Sequence, residues 1–532
     1  MTYICPTKKK NTFVNPLLLY HFEIMFCLKR LLSCVVLTMA FSAVLHAEIN
    51  PKPFVIPELK TWTGAEGKVV PSGRIVVKSS KLQGVAQALA ADYQEMFGTA
   101  LTVAKGSVKP GDIVLELKKN PTLGDEGYKL HATSSILISA ATEKGAFWGT
   151  RTLLQLSEQA EDRSIPCGAA TDVPEYRLRG FMIDCGRKFI PLAYLQKLTK
   201  MLAYYKMNTL HVHLNDNEIC KDPKTDWSVK QAAFRLESAT YPELTAKDGS
   251  YTKKEFRAFM LQCRELGVTV IPEFDSPAHA LAFTRVKPEF ASTKYGADHF
   301  DLDKRDEILA WLKPLFAEYL TGDEPTFIGP YMHVGTDEYN PADAEKFRDF
   351  SDKLFKMVRG FGYKVCAWGA LSHAKGTTPV LADRDIMMDI WHNPYYQPAE
   401  ALEAGYTIVS VPDGLTYLVP YAGYYYDYLN YRGLYENWEP RKVGKYTVPD
   451  DKMDQLAGGK FALWNDALGK KKDGTPYTEA DNWDRIYPGL QTLGQKFWTG
   501  AKEGEDWAAF SRIANALSEP AGVKNARTFR FK

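Results

Sequence analysis

Cysteine is sparse: eight in 532 residues, spaced as neither a zinc site nor a disulfide framework. Cys185, Cys263 and Cys366 sit in apolar segments and read as buried thiols, so disulfides are not expected to hold the chain together. An excess of charge is missing too. Lys and Arg total 66 against 64 Asp and Glu, without a basic run or stripe, which argues against a nucleic-acid partner. No apolar run is long enough to cross a bilayer comfortably. There is no internal repeat, no low-complexity tract and no Gly-rich phosphate loop, which removes the main support for a nucleotide-binding open sheet. Aromatic residues, by contrast, are plentiful at 13%, with 11 Trp and 29 Tyr. Their faces suit the C–H faces of sugar rings, although large cores use them equally.

Residues 1–47 read as a leader. Lys29-Arg30 precedes an apolar run from Leu31 to Val44, and Leu45-His46-Ala47 offers a small residue for cleavage. Met25 makes a more typical start than Met1. Cys34 follows Leu-Leu-Ser as in a lipoprotein signal, but it precedes most of the apolar run, which argues against lipidation. Export to a periplasm, cell surface or medium is the expectation. The leader carries five of the basic residues and one acidic one, leaving 61 against 63.

At this length more than one domain is expected. Residues 48–175 read as a small α+β domain: strands at 74–77 and 112–117, a hairpin from 127–130 and 136–138, helices over 82–97 and 145–158. Nothing there gathers catalytic groups, and the expected role is scaffold. From 176 to 500 strands at 178–185, 209–216, 267–275, 330–337, 363–368, 385–392, 406–412 and 460–466 alternate with amphipathic helices at 191–206, 252–266, 305–320 and 341–359. That alternation implies a parallel sheet, and eight strands predict an α/β fold of the TIM (β/α)8 barrel type. Residues 501–532 read as a helical C-terminal segment. Two long connections, 217–251 and 413–459, fall where active-site loops belong, and the second holds Tyr421-Ala422-Gly423-Tyr424-Tyr425-Tyr426.

Tyr331-Met332-His333-Val334-Gly335-Thr336-Asp337-Glu338 ends a strand in two adjacent carboxylates. Neighbouring carboxylates repel, so at least one is driven towards holding a proton near neutral pH, as general acid catalysis requires. The other strand ends are polar or aromatic as well: Asp184 and Arg187; His211, His213 and Asp216; Glu273, Asp275 and His279; Trp368; Trp391; Trp464 and Asp466. Together they describe one pocket rimmed by acids and walled by indoles. A retaining glycosidase with an enzymic nucleophile places two carboxyls roughly 5–5.5 Å apart across the sugar. Residues 337 and 338 cannot straddle a ring that way. A 2-acetamido group on the substrate could supply the nucleophile instead.

Four segments, in order, carry a resemblance to glycoside hydrolase family 20, the β-N-acetylhexosaminidases. Arg179-Gly180-Phe181-Met182-Ile183-Asp184-Cys185-Gly186-Arg187 is similar to R-G-x-x-x-D-x-x-R, and His211 to Asp216 to H-x-H-L-x-D. Ile271 to Ala280 is similar to I-P-E-x-D-x-P-G-H-A, and His333 to Glu338 to H-x-G-x-D-E. The resemblance implies Glu338 as general acid/base and Asp337 holding the acetamido N–H. It implies Tyr428 positioning the acetamido oxygen, Arg187 binding O3 and O4, and Trp368, Trp391 and Trp464 boxing the acetamido group. Asp216 and His279 would tune Glu338. Asp466 and Asn430 would face the non-reducing end. No cofactor and no metal are implied, and the partner is an oligosaccharide or glycoconjugate.

The chain departs from the family pattern at Asn217, Ala278, Thr336 and Asp466, where a second acid, Gly, Gly and Glu are usual. The shorter Asp466 is expected to leave space near O4 and O6, suiting a 6-sulfated sugar or a disaccharide such as lacto-N-biose. Two rival readings remain. His211 and His213 alternate on one strand and could bind metal, as in amidohydrolase barrels, though those carry the motif on the first strand. A non-catalytic glycan-binding protein could share the fold, though it has no use for a repelling acid pair.

Overall fold

The computed structural model describes residues 48–217, 233–467, 471, 473–475, 477–502 and 506–531. The expected leader, and residues 218–232 of the first long connection, lie outside these. Residues 50–532 form one compact unit. None of the described helices is long and apolar enough to cross a membrane.

Seven strands make the first sheet: β1 Thr63–Val69, β2 Arg74–Val77, β3 Thr102–Ala104, β4 Ile113–Leu117, β5 Tyr128–Ala132, β6 Ile136–Ala140 and β7 Ile165–Asp172. Their order is β1-β7-β5-β6-β4-β2-β3, backed by helices Gln83–Phe97 and Glu143–Glu158. Sequence reading missed β1, β3 and β7, and β3 is only three residues long. β1 is mostly exposed, so no apolar alternation marks it, and β7 carries Pro166, Gly168 and small residues.

Eight parallel strands close a barrel: β8 Leu178–Asp184, β9 Thr209–His213, β10 Thr269–Ser276, β11 Tyr331–Gly335, β12 Lys364–Trp368, β13 Met387–Ile390, β14 Thr407–Ser410 and β15 Leu456–Leu463. Each pairs with the next, β15 pairs with both β14 and β8, and no edge is left inside the ring. β8 and β15 are buried at every residue, as strands covered on both sides must be. Helices Leu192–Tyr204, Lys253–Glu265, Arg305–Leu320, Ala344–Gly360 and Glu479–Thr499 supply the outer cover. Lys253–Glu265 shows how the sequence builds them. Thr252 and Glu255 form a reciprocal cap at its start, and Phe256, Phe259, Met260 and Cys263 make the buried stripe.

The last strand begins four residues earlier than its expected 460–466. Gly458 and Gly459 fall in the expected connection 413–459 but lie within β15. A Cβ on Gly458 would stand 2.0 Å from the Leu178 carbonyl, so glycine here serves close strand approach. The segment 501–532 holds helix Trp507–Ala516, followed by chain whose Phe529 packs on Tyr428 and Tyr431.

A buried clamp joins the first sheet to the foot of the barrel. Lys206 Nζ bonds Asp172 at 2.9 Å and the Tyr128 hydroxyl at 2.8 Å, while Trp498 Nε1 donates to the other Asp172 oxygen at 2.9 Å. Arg179, at the start of β8, pairs with Glu126, which also accepts from Asn208 and Trp148. Burial pushes the Glu126 carboxyl up, but Arg179 and Lys144 overcome it and pull it down to about 2.

Candidate active site

The turn after β11 places the acid pair. Gly335 has φ +71°, and a Cβ there would meet Asp275 Oδ1 at 1.6 Å, so only glycine fits. Thr336 follows at φ +70°, a β-branched residue in the left-handed region. This explains why glycine suits that position, and it costs about 1–3 kcal/mol of strain. The turn sends Asp337 inward and leaves Glu338 at the surface: Asp337 is 9% exposed, against 47% for the Glu338 side chain.

His279 connects the pair to the interior. Its Nε2 lies 3.3 Å from Glu338 Oε2 and 3.8 Å from Asp337 Oδ2, and its Nδ1 lies 2.9 Å from Asp216 Oδ1. Burial alone would lower the His279 pKa, but Asp216 and Asp337 raise it well above the ordinary value. His279 is therefore an imidazolium, and its hydrogen bond holds Glu338 below the usual carboxylate range. Asp337 goes the other way. Burial first, then the charges of Glu338, Glu273 and Asp216, push it up to about 6 against the opposing effect of His279. The repulsion read from the sequence thus falls on Asp337. Beside it Asp275 is buried without a hydrogen-bond partner for either carboxylate oxygen among the described residues, and burial plus Asp337 drives its pKa well up.

Arg187 is held by three carboxylates. Its Nη1 lies 3.1 Å from Asp184, 2.9 Å from Asp216 and 3.1 Å from Asp466. Asp466 is engaged a second time, by the Tyr424 hydroxyl at 2.9 Å. The room that the shorter side chain would leave is thus met by a phenol from the tyrosine-rich connection.

Trp368, Trp391 and Trp464 gather with Met182, Val411, Val419 and Tyr417 in one buried cluster. Trp368 is its floor, donating its indole N–H to Glu273 at 2.7 Å. The N–H groups of Trp391 and Trp464 have no acceptor among the described residues. Tyr417 stacks with Trp391 at 6.4 Å and tilts on Trp464 at 6.0 Å.

Two expected site residues are not brought to this cluster. Tyr428 donates its hydroxyl to Asp484, and Arg485 lies 4.5 Å over its ring. Asn430 caps helix Tyr431–Asn437, accepting from the Gly433 N–H at 3.0 Å, and is exposed. The buried tyrosine of the indole cluster is Tyr417. It sits in a two-residue strand paired with Ala462 and Leu463, too short for any sequence pattern to mark.

Among the described residues, four groups could bring three metal ligands within 4.8 Å: His211, Glu273 and His333; Asp184, His213 and Asp216; His213, Glu273 and Asp275; Asp275, His279 and Asp337. The expected metal-binding alternative, however, meets competition at both histidines. His213 uses both ring nitrogens, at 2.5 Å from Glu273 and 2.6 Å from Asp216. His211 Nδ1 lies 3.2 Å from the ammonium of Lys460, itself paired with Asp389, so a fixed cation already occupies that neighbourhood.

The comparisons agree with this geometry. Residues 176–349 match the model of glycosyl hydrolase family 20, catalytic domain, and residues 52–173 match domain 2 of the same family. The chain belongs to glycosyl hydrolase family 20. It is 25% identical to a lacto-N-biosidase of Bifidobacterium bifidum over 505 residues, 89% of this chain and 42% of that one. It is 38% identical to a beta-hexosaminidase of Akkermansia muciniphila over 174 residues, 32% and 35% of the two chains. The chain thus spans well under two thirds of the length of these relatives. The solved family 20 β-N-acetylhexosaminidase of Streptomyces coelicolor A3(2) shares the fold, with TM-score 0.71 at 22% identity over 88% of this chain and 96% of that one.

Proposed function

We propose that this family 20 chain is an exo-acting β-N-acetylhexosaminidase, removing terminal β-linked GlcNAc or GalNAc from oligosaccharides or glycoconjugates by substrate-assisted retaining hydrolysis. The observation that carries the reading is the split character of the adjacent acids, one buried and one open, with His279 between them. Family 20 is among the exceptions to the two-carboxylate scheme of retaining enzymes.

In this reading Glu338 donates its proton to the leaving oxygen, and a sugar covering it strips water from the carboxyl and raises its pKa. The acetamido carbonyl oxygen attacks C1, expelling the leaving group and closing an oxazoline-like ring. Asp337, ionised, takes the acetamido N–H as positive charge builds on nitrogen. Tyr417, lying in the indole box, is suited to orient the acetamido oxygen. Water then opens the ring, with Glu338 taking its proton. Arg187 and Asp466 hold hydroxyls at the non-reducing end.

Release of a disaccharide is the second reading, favoured by the likeness to the lacto-N-biosidase. It would require room beyond Asp466, where the Tyr424 hydroxyl stands. That contact supports release of a single sugar. The leader-like segment supports export. Assaying p-nitrophenyl GlcNAc, GalNAc and lacto-N-biose side by side tests the proposal. Turnover confined to the last would replace it with the second reading.

A further inference from the structure

Glu273 stands apart from the acid pair, fully buried in β10, yet four side chains converge on its carboxylate. One oxygen accepts the Trp368 indole N–H at 2.7 Å and lies 3.0 Å from His333 Nδ1. The other lies 2.5 Å from His213 Nδ1 and 3.0 Å from His211 Nε2. From His213 a chain of contacts runs outward: 2.6 Å to Asp216, 2.9 Å from Asp216 to His279, and 3.3 Å from His279 to Glu338. Anion and cation alternate along it, Glu273, His213, Asp216, His279, Glu338. Arg187 joins at Asp216, and behind Glu273 stand His333, Asp389 and Lys460.

We infer that Glu273 is a positioning residue that sets both the charge of the chain leading to Glu338 and the placement of the Trp368 floor. The inference rests on the proposed hydrolase reading. His213 lies between two carboxylates, and removing one lets it shed its second proton more readily. A neutral His213 leaves Asp216 less compensated, so Asp216 draws the His279 proton inward and away from Glu338. The same carboxylate fixes the indole against which the acetamido group would rest. One buried side chain therefore ties proton delivery to the shape of the pocket.

The experiment compares wild type, Glu273→Gln and Trp368→Phe on aryl 2-acetamido glycosides with good and poor leaving groups across pH. Glu273→Gln is expected to lose about 10- to 100-fold in kcat on the poor leaving group and far less on the good one. Its KM should stay within about threefold, because the glutamine carbonyl can still accept the Trp368 N–H, and its basic pH limb should move down by about one unit. Trp368→Phe keeps an aromatic ring but loses the N–H and part of the indole face without touching a charge, so it should raise KM and leave the pH profile in place. A folded Glu273→Gln with the wild-type profile and leaving-group dependence overturns the inference. If that variant does not fold, wild type decides by proton NMR. A strongly downfield imidazole N–H assigned to His213, persisting past neutral pH, supports the inference, and its absence overturns it. Wild type inactive on every 2-acetamido glycoside would instead defeat the hydrolase reading itself.

Discussion

Asp337 and Glu338 share a peptide bond, yet the first is 9% exposed while 47% of the second side chain faces solvent. His279 reaches both, and its charge pulls each towards ionisation, but only for Asp337 does burial outweigh it. Two identical functional groups in adjacent positions thereby acquire different chemistry.

Asp337 gives the first prediction. In the proposed mechanism it acts as a carboxylate, so kcat/KM should rise with pH through about 6. Asp337→Asn should be slow and lack that limb. Stability should follow the same titration. A carboxyl raised in the folded state contributes its stability below its unfolded pKa and loses it as pH climbs through about 6. Asp337→Asn should therefore gain on wild type between pH 4 and 8 by up to about 3 kcal/mol in denaturant unfolding. A constant difference across that range would remove the burial argument.

Glu338→Gln should abolish turnover of natural glycans but retain part of the activity on aryl glycosides whose leaving groups depart without protonation. Equal losses on both would count against the acid role. Thiazoline mimics of the cyclic intermediate should inhibit, whereas covalent trapping by a 2-fluoro sugar would contradict a nucleophile supplied by the substrate.

Tyr417→Phe and Tyr428→Phe separate the two tyrosines. The first removes a phenol from the indole box and should cost about 10²-fold in kcat on 2-acetamido substrates. The second breaks a contact with Asp484 and should leave kcat within about twofold, as peripheral surface changes do. The reverse pattern would restore the role that the sequence alone gave to Tyr428.

Thr336→Gly should stabilise the fold by about 1 kcal/mol, since glycine adopts φ +70° without the clash threonine suffers. An unchanged or lower unfolding free energy would show that neighbouring contacts already offset the strain.

Tyr424→Phe should improve turnover of 6-O-substituted sugars relative to unsubstituted ones, because it frees the Asp466 oxygen that the phenol engages. Asp466→Glu should move the ratio in the opposite direction. If both leave the ratio unchanged, this corner does not set specificity.

Much of the architecture was legible because barrel strands carry long buried runs between amphipathic helices, and that signal is local. All eight strands were found, seven of them at nearly their true positions. The eighth was misplaced at Gly458 and Gly459, whose need for glycine comes from another strand's carbonyl. The acid pair, Arg187, Asp216, His279 and the three indoles could be named because each ends a strand. Tyr428 and Asn430 were assigned from a loop motif, and loops carry no periodicity to fix where a side chain goes. Glu273 was visible as a polar strand end, but its several partners come from three other strands and only the closed ring assembles them. Arg179 shows the opposite case: it opens the segment that ends in Arg187, yet it serves the clamp beneath the barrel and not the pocket.

That clamp ties the first sheet to the barrel. Lys206 and Arg179 are residues of the barrel unit whose counter-charges, Asp172 in β7 and Glu126 in the turn before β5, come from the preceding domain. Deleting residues 48–175 would remove both counter-charges and open the packed underside of the barrel to water. Arg179 and Arg187 lie at opposite ends of one region of chain, so the loss would begin eight residues from the pocket. The two sheets should therefore melt together in a single calorimetric transition, and the barrel expressed alone should be recovered as insoluble material.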